Sequence, residues 1–126
     1  MLDTHILIWA ASDPVRLGAG RRAALEAPHN KVMVSAVTAW EIAIKRAIGR
    51  LQFPIDRFED MMRELGFDML PILPEHAIAA GGLPALHGDP FDRMLIAQAR
   101  AEGLTLVSDD AAIARYDVAL LRAAAT

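Results

Sequence analysis

The chain has 126 residues, which suits one domain, and its 54% hydrophobic and 23% charged content excludes a wholly disordered protein. It has no cysteine, which excludes disulfides and thiolate metal sites, and its net charge of −3 is unlike that of proteins that wrap duplex nucleic acid. No apolar run reaches the roughly 20 residues of a membrane span, and no signal peptide is recognisable. A cytoplasmic protein with no membrane contact is expected.

Short apolar runs alternate with segments of helical periodicity along the whole chain. The runs predict strands at 31–35, 67–73, 104–108 and 118–121, and Met1–Asp3 has the pattern of a strand end. The periodic segments predict helices over 4–11, 18–27, 36–48, 55–65, 74–82 and 91–102. This alternation predicts an α/β fold with a parallel sheet covered on both faces, and such sheets bind ligands at the carboxyl ends of their strands.

Acidic and hydroxyl side chains follow the predicted strands. The residues expected at the carboxyl edge of the sheet are Asp3, Ser35, Ser108 and Asp110. Glu41 lies about one and a half turns into the helix that follows Ser35, and Asp92 opens the helix that leads to the third strand. Whether these two acids reach the same edge is not fixed by the sequence.

Each acid also has an ordinary explanation as a helix cap. Asp3 would cap the first helix, Asp89 would cap the helix that begins at Pro90, and Asp109 or Asp110 would cap a short helix after it. Taken singly, each of these acids is better explained as a cap than as a ligand.

Glu41 fits two local motifs. Thr38 and Glu41 have the spacing of a capping box, and Glu41 and Lys45 have that of an i,i+4 ion pair. Glu41 also borders the apolar face of its helix, where an acid is costly to bury unless it is paired or binds a cation. The helix alone leaves both readings open.

The acids taken together favour a cation site. Carboxylates that converge from separate segments repel one another, and a fold gains nothing from this unless a positive charge lies between them. Mg²⁺ binds through oxygen ligands, and two such ions can promote displacement at a phosphodiester. None of the histidines has zinc-ligand spacing, and no glycine-rich phosphate loop is present.

Four segments occur in a recognisable order: "LDTHILIWA", "SAVTAWEIAIK", "DPFDRMLIAQA" and "LTLVSDD". Together they resemble the PIN-domain ribonucleases, in particular the VapC-like toxins of bacterial toxin–antitoxin pairs. The resemblance covers residues 1–126 as a single domain. It implies a three-layer α/β/α sandwich with a parallel sheet of about five strands, and an Mg²⁺- or Mn²⁺-dependent RNA endonuclease that leaves 5′-phosphate and 3′-hydroxyl ends.

The resemblance also implies site residues and partners. The metal-binding and catalytic positions correspond to Asp3, Glu41, Asp92 and Asp110. The neighbouring positions carried over with them are Thr4 and Ser108, while Asp89 shapes the loop and Asp109 is the less suitable fourth acid. The implied partners are an RNA substrate, a cognate antitoxin and usually a second copy of the chain. Relatives have more apolar residues before "LDTH", so adding some before Leu2 is expected to raise the melting temperature.

Two other functions, and one docking surface, remain open at this point. A catalytically silent PIN-like module would bind RNA or protein, although all four acid positions are filled. A receiver-type domain is disfavoured because Asp3 stands alone and no lysine follows Lys45. Phe58, Met61, Met62 and Leu65 form an apolar stripe that is explained either as core or as part of an antitoxin groove around 36–65, and a basic antitoxin side chain would approach the acids.

Overall fold

The computed structural model describes residues 1–123. The helices are α1 Thr4–Ser12, α2 Ala19–Glu26, α3 Ala36–Ala47, α4 Phe58–Leu65, α5 Pro74–Gly81 and α6 Pro90–Glu102. The strands are β1 Met33–Ser35, β2 Asp68–Leu70, β3 Leu106–Val107 and β4 Leu120–Leu121, and short 3₁₀ helices cover Pro14–Leu17, Ile55–Arg57 and Ile113–Arg115. Every predicted helix and strand is present, but the strands are shorter than the apolar runs. Within residues 1–123, no helix has the length and apolar composition required to cross a membrane.

The first three residues join two pairs of parallel strands. β1 pairs with β2 and β3 pairs with β4, each in parallel. Leu2 N donates to Met33 O at 3.0 Å, and Asp3 N donates to Val107 O at 2.9 Å, so the first residues lie between β1 and β3. The parallel α/β arrangement agrees with the prediction. In the described part of the chain, however, the expected sheet of about five strands consists of four strands and one bridging residue, Leu2.

Within the described residues 1–123, two hydrophobic clusters form the core, and the extended segments contribute side chains to both. Leu2 and Val107 belong to one cluster, and their neighbours Met1 and Leu106 belong to the other. This follows from extended backbone, in which successive side chains point to opposite faces. α1 and α4 supply side chains to the first cluster and α6 to the second, so helices cover both faces of the sheet.

β2 and α4 correct the reading of the segment around 55–73. β2 is an exposed edge strand rather than a buried one, because it pairs only with β1 among the described residues. Phe58 and Met62 are buried in the first cluster, and Met61 and Leu65 pack against it. The apolar stripe of α4 is therefore core.

Ser35, and not Thr38, caps α3. Ser35 Oγ accepts a hydrogen bond from Val37 N at 3.0 Å, because the helix begins directly after β1. Thr38 is fully buried one turn further on, so the predicted capping box is wrong. The helix begins at residue 36, as predicted, and this places Glu41 in its second turn.

Candidate active site

A cleft of about 350 Å³ opens at the carboxyl edge of the sheet. The residues that line it are Asp3, Thr4, His5, Ile8, Glu41, Lys45, Arg50, Leu51, Asp89, Asp92 and Asp110. The four acids singled out by the resemblance thus share one cleft, although they come from four separate segments. Ser35 does not line the cleft, because its hydroxyl donates to Gln98 Oε1 in the interior.

Asp3 is the most firmly held of these acids. Its Oδ1 accepts from Thr4 N at 2.7 Å, which caps α1 as predicted, and its Oδ2 accepts from Ser108 Oγ at 2.6 Å. His5 Nδ1 lies 3.3 Å from the same Oδ2. Burial opposes ionisation, but the hydrogen bonds from His5 and Ser108 keep the pKa of Asp3 below its usual value. Asp3 is therefore a fixed carboxylate.

Glu41 is buried on α3 and makes two contacts. Thr4 Oγ1 donates to Glu41 Oε1 at 2.6 Å, and Lys45 Nζ donates to Glu41 Oε2, as the i,i+4 spacing predicts. The hydrogen bond to Glu41 raises the pKa of Lys45. Thr4 thus connects Glu41 to the start of α1, and Lys45 keeps a positive charge at the cleft.

Asp92 carries the largest electrostatic cost. Asp89 caps α6 by accepting from Phe91 N at 2.8 Å and Asp92 N at 3.1 Å, as predicted, and this fixes Asp92 in the first helical turn. Burial, against a hydrogen bond from His87 that lowers it and with the charges of Asp3, Asp89 and Asp110, raises the pKa of Asp92 to about 7. A cation between these acids would remove that cost.

The adjacent acids Asp109 and Asp110 have different surroundings. Asp110 lines the cleft; its amide donates to Ser108 Oγ at 3.0 Å, and its Oδ1 accepts from Ala112 N at 2.8 Å. Asp109 turns away and binds the buried Arg21 guanidinium through both oxygens, at 2.7 and 3.1 Å. Burial raises the pKa of Asp109, but Arg21 outweighs this and holds it below the usual value. Asp110 is accordingly the acid available to the cleft.

Basic side chains also lie in or near the cleft. Arg50 lines the cleft and was not anticipated from the sequence. Arg93 follows Asp92 in the chain but donates to the carbonyls of Ala80, Leu83 and Pro84 in the preceding loop. It does not line the cleft, whereas Lys45 and Arg50 do.

His87 is the other residue that sequence reasoning missed. Its Nε2 lies 2.8 Å from Asp92 Oδ2, and it forms with Asp92 and Asp110 a group whose ligand atoms lie within 4.8 Å of one another. The donor set of the cleft is dominated by carboxylate oxygens, which suit Mg²⁺ and Mn²⁺. The residues present therefore fit a hard divalent cation.

Fold and site together define an α/β protein with an acidic, cation-compatible cleft at the carboxyl edge of a parallel sheet. The family model described as "PIN domain" matches residues 1–119, and the chain belongs to the PIN-domain family. Ribonuclease VapC22 of Mycobacterium tuberculosis (strain ATCC 25618 / H37Rv) is 30% identical over 117 residues, which cover 87% of this chain and 85% of that protein. The expected family is thereby confirmed.

A solved structure supports the fold. One chain of the crystal structure of VapBC2 from Rickettsia felis aligns with this protein with a TM-score of 0.68. In that crystal structure VapBC2 is bound to a DNA fragment from its promoter. The alignment covers 97% of this chain and 96% of that one at 17% sequence identity. At that identity the likeness shows the shared PIN-like fold alone.

Proposed function

We propose that this chain is a divalent-metal-dependent endoribonuclease and the toxin of a toxin–antitoxin pair. The observation that carries the proposal is the convergence of Asp3, Glu41, Asp92 and Asp110 on one cleft. Membership of the PIN family and the similarity to a protein named Ribonuclease VapC22 support RNA as the substrate. The same proposal treats the whole chain as one domain that acts as a cytoplasmic homodimer.

The acids would hold one or two Mg²⁺ or Mn²⁺ ions. When bound, such an ion makes a water more acidic and neutralises charge that develops on a phosphate. Asp3, fixed by Ser108 and Thr4, and Asp92, fixed by the cap of α6, supply rigid ligands, so little ordering is needed on binding. Lys45 and Arg50 face the same space and would hold the phosphates on either side of the scissile bond.

The reaction would be an in-line displacement at phosphorus. The oxygen of a water forms a bond to phosphorus while the bond to the 3′ oxygen breaks, and the 3′ oxygen takes up a proton. The products carry a 5′-phosphate and a 3′-hydroxyl. No side chain of the cleft needs to act as the nucleophile, and the proton released by the water would pass to a carboxylate or to solvent.

Glu41→Gln tests this role with little change of shape, because Gln Oε1 can still accept the Thr4 hydroxyl. We expect wild-type protein to cleave RNA with Mg²⁺ or Mn²⁺, and the variant to lose at least about 100-fold in rate. Glu26→Gln, which changes an acid on the exposed face of α2, is the matched control and is expected to cleave normally. Cleavage by Glu41→Gln at the wild-type rate would contradict the assignment.

A silent PIN-like binding module is the alternative. It would retain the fold and bind RNA or protein without cleaving, and the filled acid positions count against it. If wild type binds Mn²⁺ but cleaves no RNA, this second function is favoured.

An antitoxin is the partner proposed with this function. A groove of about 560 Å³ lies beside α3 and α4, lined by Ala39, Trp40, Ala43, Ile55, Asp56, Phe58, Glu59 and Asp60. Trp40 is 56% exposed there and packs edge-on against Phe91, and acids follow one side of the groove. An antitoxin segment with an apolar face and basic side chains would complement both properties.

Co-expression with the product of the adjacent small open reading frame tests the partner. Hydrogen exchange should slow in α3, in 55–60 and around Asp3 and Asp92. Protection confined to other regions would contradict this groove, and sedimentation of the chain alone would show whether it forms a dimer.

A further inference from the structure

Two histidines contact acids of the cleft, and they differ in which ring nitrogen is free. His5 uses both nitrogens: Nε2 accepts from Asp109 N at 3.3 Å, so its proton is on Nδ1, which lies 3.3 Å from Asp3 Oδ2. His87 makes one side-chain hydrogen bond, from Nε2 to Asp92 Oδ2. Among residues 1–123 no protein group bonds to its Nδ1, and the side chain is 25% exposed. The ring can therefore adopt the tautomer that carries the proton on Nδ1. In this tautomer the lone pair of Nε2 is available to a ligand.

The position of that lone pair suits a shared cation. His87 Nε2 and Asp92 Oδ2 are 2.8 Å apart. In a six-coordinate ion with bonds of about 2.1 Å, adjacent ligand atoms lie roughly 3 Å apart. A carboxylate oxygen of Asp110 completes a group in which all ligand atoms lie within 4.8 Å of one another. Three separate backbone positions thus each bring one ligand atom within 4.8 Å of the other two.

Hydrogen bonds from side chains outside the cleft hold the loop that carries His87. The His87 carbonyl accepts from Arg93 Nη1 at 3.2 Å and Tyr116 Oη at 3.4 Å. Arg115 Nη1 donates to the Leu86 carbonyl at 2.9 Å. These three side chains do not line the cleft, so their bonds fix the loop without occupying the site. A ligand held in this way loses little conformational entropy when it binds a cation.

We propose that His87 is a nitrogen ligand of the divalent cation held by Asp92 and Asp110, an inference that rests on the metal-dependent function proposed above. Mg²⁺ prefers oxygen ligands and keeps several waters, whereas an imidazole adds affinity for transition ions such as Mn²⁺. His87 therefore biases the site towards Mn²⁺. A histidine that only hydrogen-bonded to Asp92 would support both ions equally.

Pulsed EPR of the Mn²⁺-loaded protein detects a coordinated nitrogen directly through its ¹⁴N modulation. We expect this modulation in wild type and in the control His29→Gln, which changes an exposed histidine between α2 and β1. His87→Gln should lose it. Calorimetry should show Mn²⁺ affinity falling at least about tenfold in His87→Gln, with Mg²⁺ affinity changing by less than about threefold.

The outcomes separate this inference from the function on which it rests. Wild type that binds no Mn²⁺ would overturn both. Wild type that binds Mn²⁺ without ¹⁴N modulation, or modulation that persists in His87→Gln, would overturn the His87 assignment alone. A parallel loss of Mn²⁺ and Mg²⁺ affinity would make His87 a hydrogen-bonding neighbour of Asp92 and would also overturn it. The wild-type spectrum needs no variant, so the result does not depend on how His87→Gln folds.

Discussion

Among residues 1–123, two groups of side chains have the residue types of a metal site, and only one of these groups also has the surroundings that favour a cation. One group is Asp92 and Asp110, which line the cleft, with His87, which contacts Asp92; the other is Glu75, His76 and Glu102, where α5 meets α6. In each group the ligand atoms come within 4.8 Å of one another. The groups differ in burial and in the nitrogen lone pair that remains free.

The group at α5 and α6 is satisfied by the protein itself. His76 is fully buried, and its Nδ1 accepts from Leu73 N at 3.0 Å. The proton must then lie on Nε2, which donates to Glu102 Oε1 at 2.8 Å. Glu75 and Glu102 are exposed and solvated. Since no lone pair of His76 is free, this group joins two helices and has no need of a cation.

The group at the cleft is not satisfied by the protein itself. Asp92 is buried near other acids and its pKa is raised to about 7, and the Nε2 lone pair of His87 is free in the tautomer that carries its proton on Nδ1. Spacing of ligand types is therefore a weak criterion. The unsatisfied charge and the free lone pair distinguish a binding site from a structural contact.

The largest expected difference between the two groups is in metal binding. Asp92→Asn should lower Mn²⁺ affinity at least about 100-fold, because it removes a charged ligand. Glu102→Gln should leave Mn²⁺ binding and RNA cleavage as in wild type. Calorimetry on both variants checks this, and loss of binding in Glu102→Gln would erase the distinction.

The second difference is in the pH dependence of stability without metal. The pKa of Asp92 is raised from 3.8 to about 7 on folding, so the folded state holds this proton more tightly than the unfolded state. Its contribution to stability is complete below about pH 4 and is lost as pH rises through about 7. Asp92→Asn stays neutral, so it should gain on wild type between pH 4 and pH 8 by at most about 4 kcal/mol.

Urea unfolding with a chelator present measures this gain. A constant difference between the two proteins across that pH range would show that Asp92 is not destabilised by ionisation.

The third difference is a loss of stability, whereas Asp92→Asn is expected to gain stability. His76→Ala leaves Leu73 N without its partner and removes a contact of the buried Gln98 amide, so it should lower the free energy of unfolding by about 3 kcal/mol. RNA cleavage by the folded variant should be unchanged. Ile78→Ala, at a 77% exposed position on the same helix, is the control and should change stability by less than about 0.5 kcal/mol. Equal stability of His76→Ala and wild type would contradict the structural role.

The smallest effect separates the adjacent acids. Asp109→Asn weakens the pair with Arg21, and because the Asp109 side chain is 32% exposed we expect a cost of only about 1 kcal/mol. Mn²⁺ binding should persist. Asp110→Asn should show the reverse, with binding lost and stability retained. If Asp109→Asn abolished binding instead, Asp109 would be the fourth acid.

Much of the fold could be predicted from the sequence because helices and their caps depend on residues that are close together in the chain. The helices follow from periodicity and the caps at Asp3 and Asp89 from their neighbours in the chain. The capping box at Thr38 was wrong because Ser35 reaches the helix start first, which depends on where β1 ends. Only Leu2 of the first three residues forms a bridge in the sheet. This bridge depends on pairing with Val107, far along the chain, and no short sequence pattern encodes such pairing.

Site residues divide in the same way. The acids at strand ends and at the start of α6 were predicted from the geometry of parallel sheets and from the family resemblance. His87 was missed because it lies in a loop without periodicity, and its approach to Asp92 depends on Arg93 and Tyr116. Asp92 lines the cleft, whereas the guanidinium of its neighbour Arg93 reaches back to the loop, and the sequence does not distinguish these two directions.

The central position of the first three residues also sets the order in which the site can assemble during synthesis. Asp3 and its partner Ser108 are 105 positions apart in the chain, and Leu2 pairs with Val107. Contacts across so long a stretch of chain form late in folding. A nascent chain that stops before β3 carries Asp3, Glu41 and Asp92 but has no strand to hold Asp3 between its neighbours. The acid cleft is therefore expected to form only after β3 has been synthesised and has paired with Leu2 and Asp3.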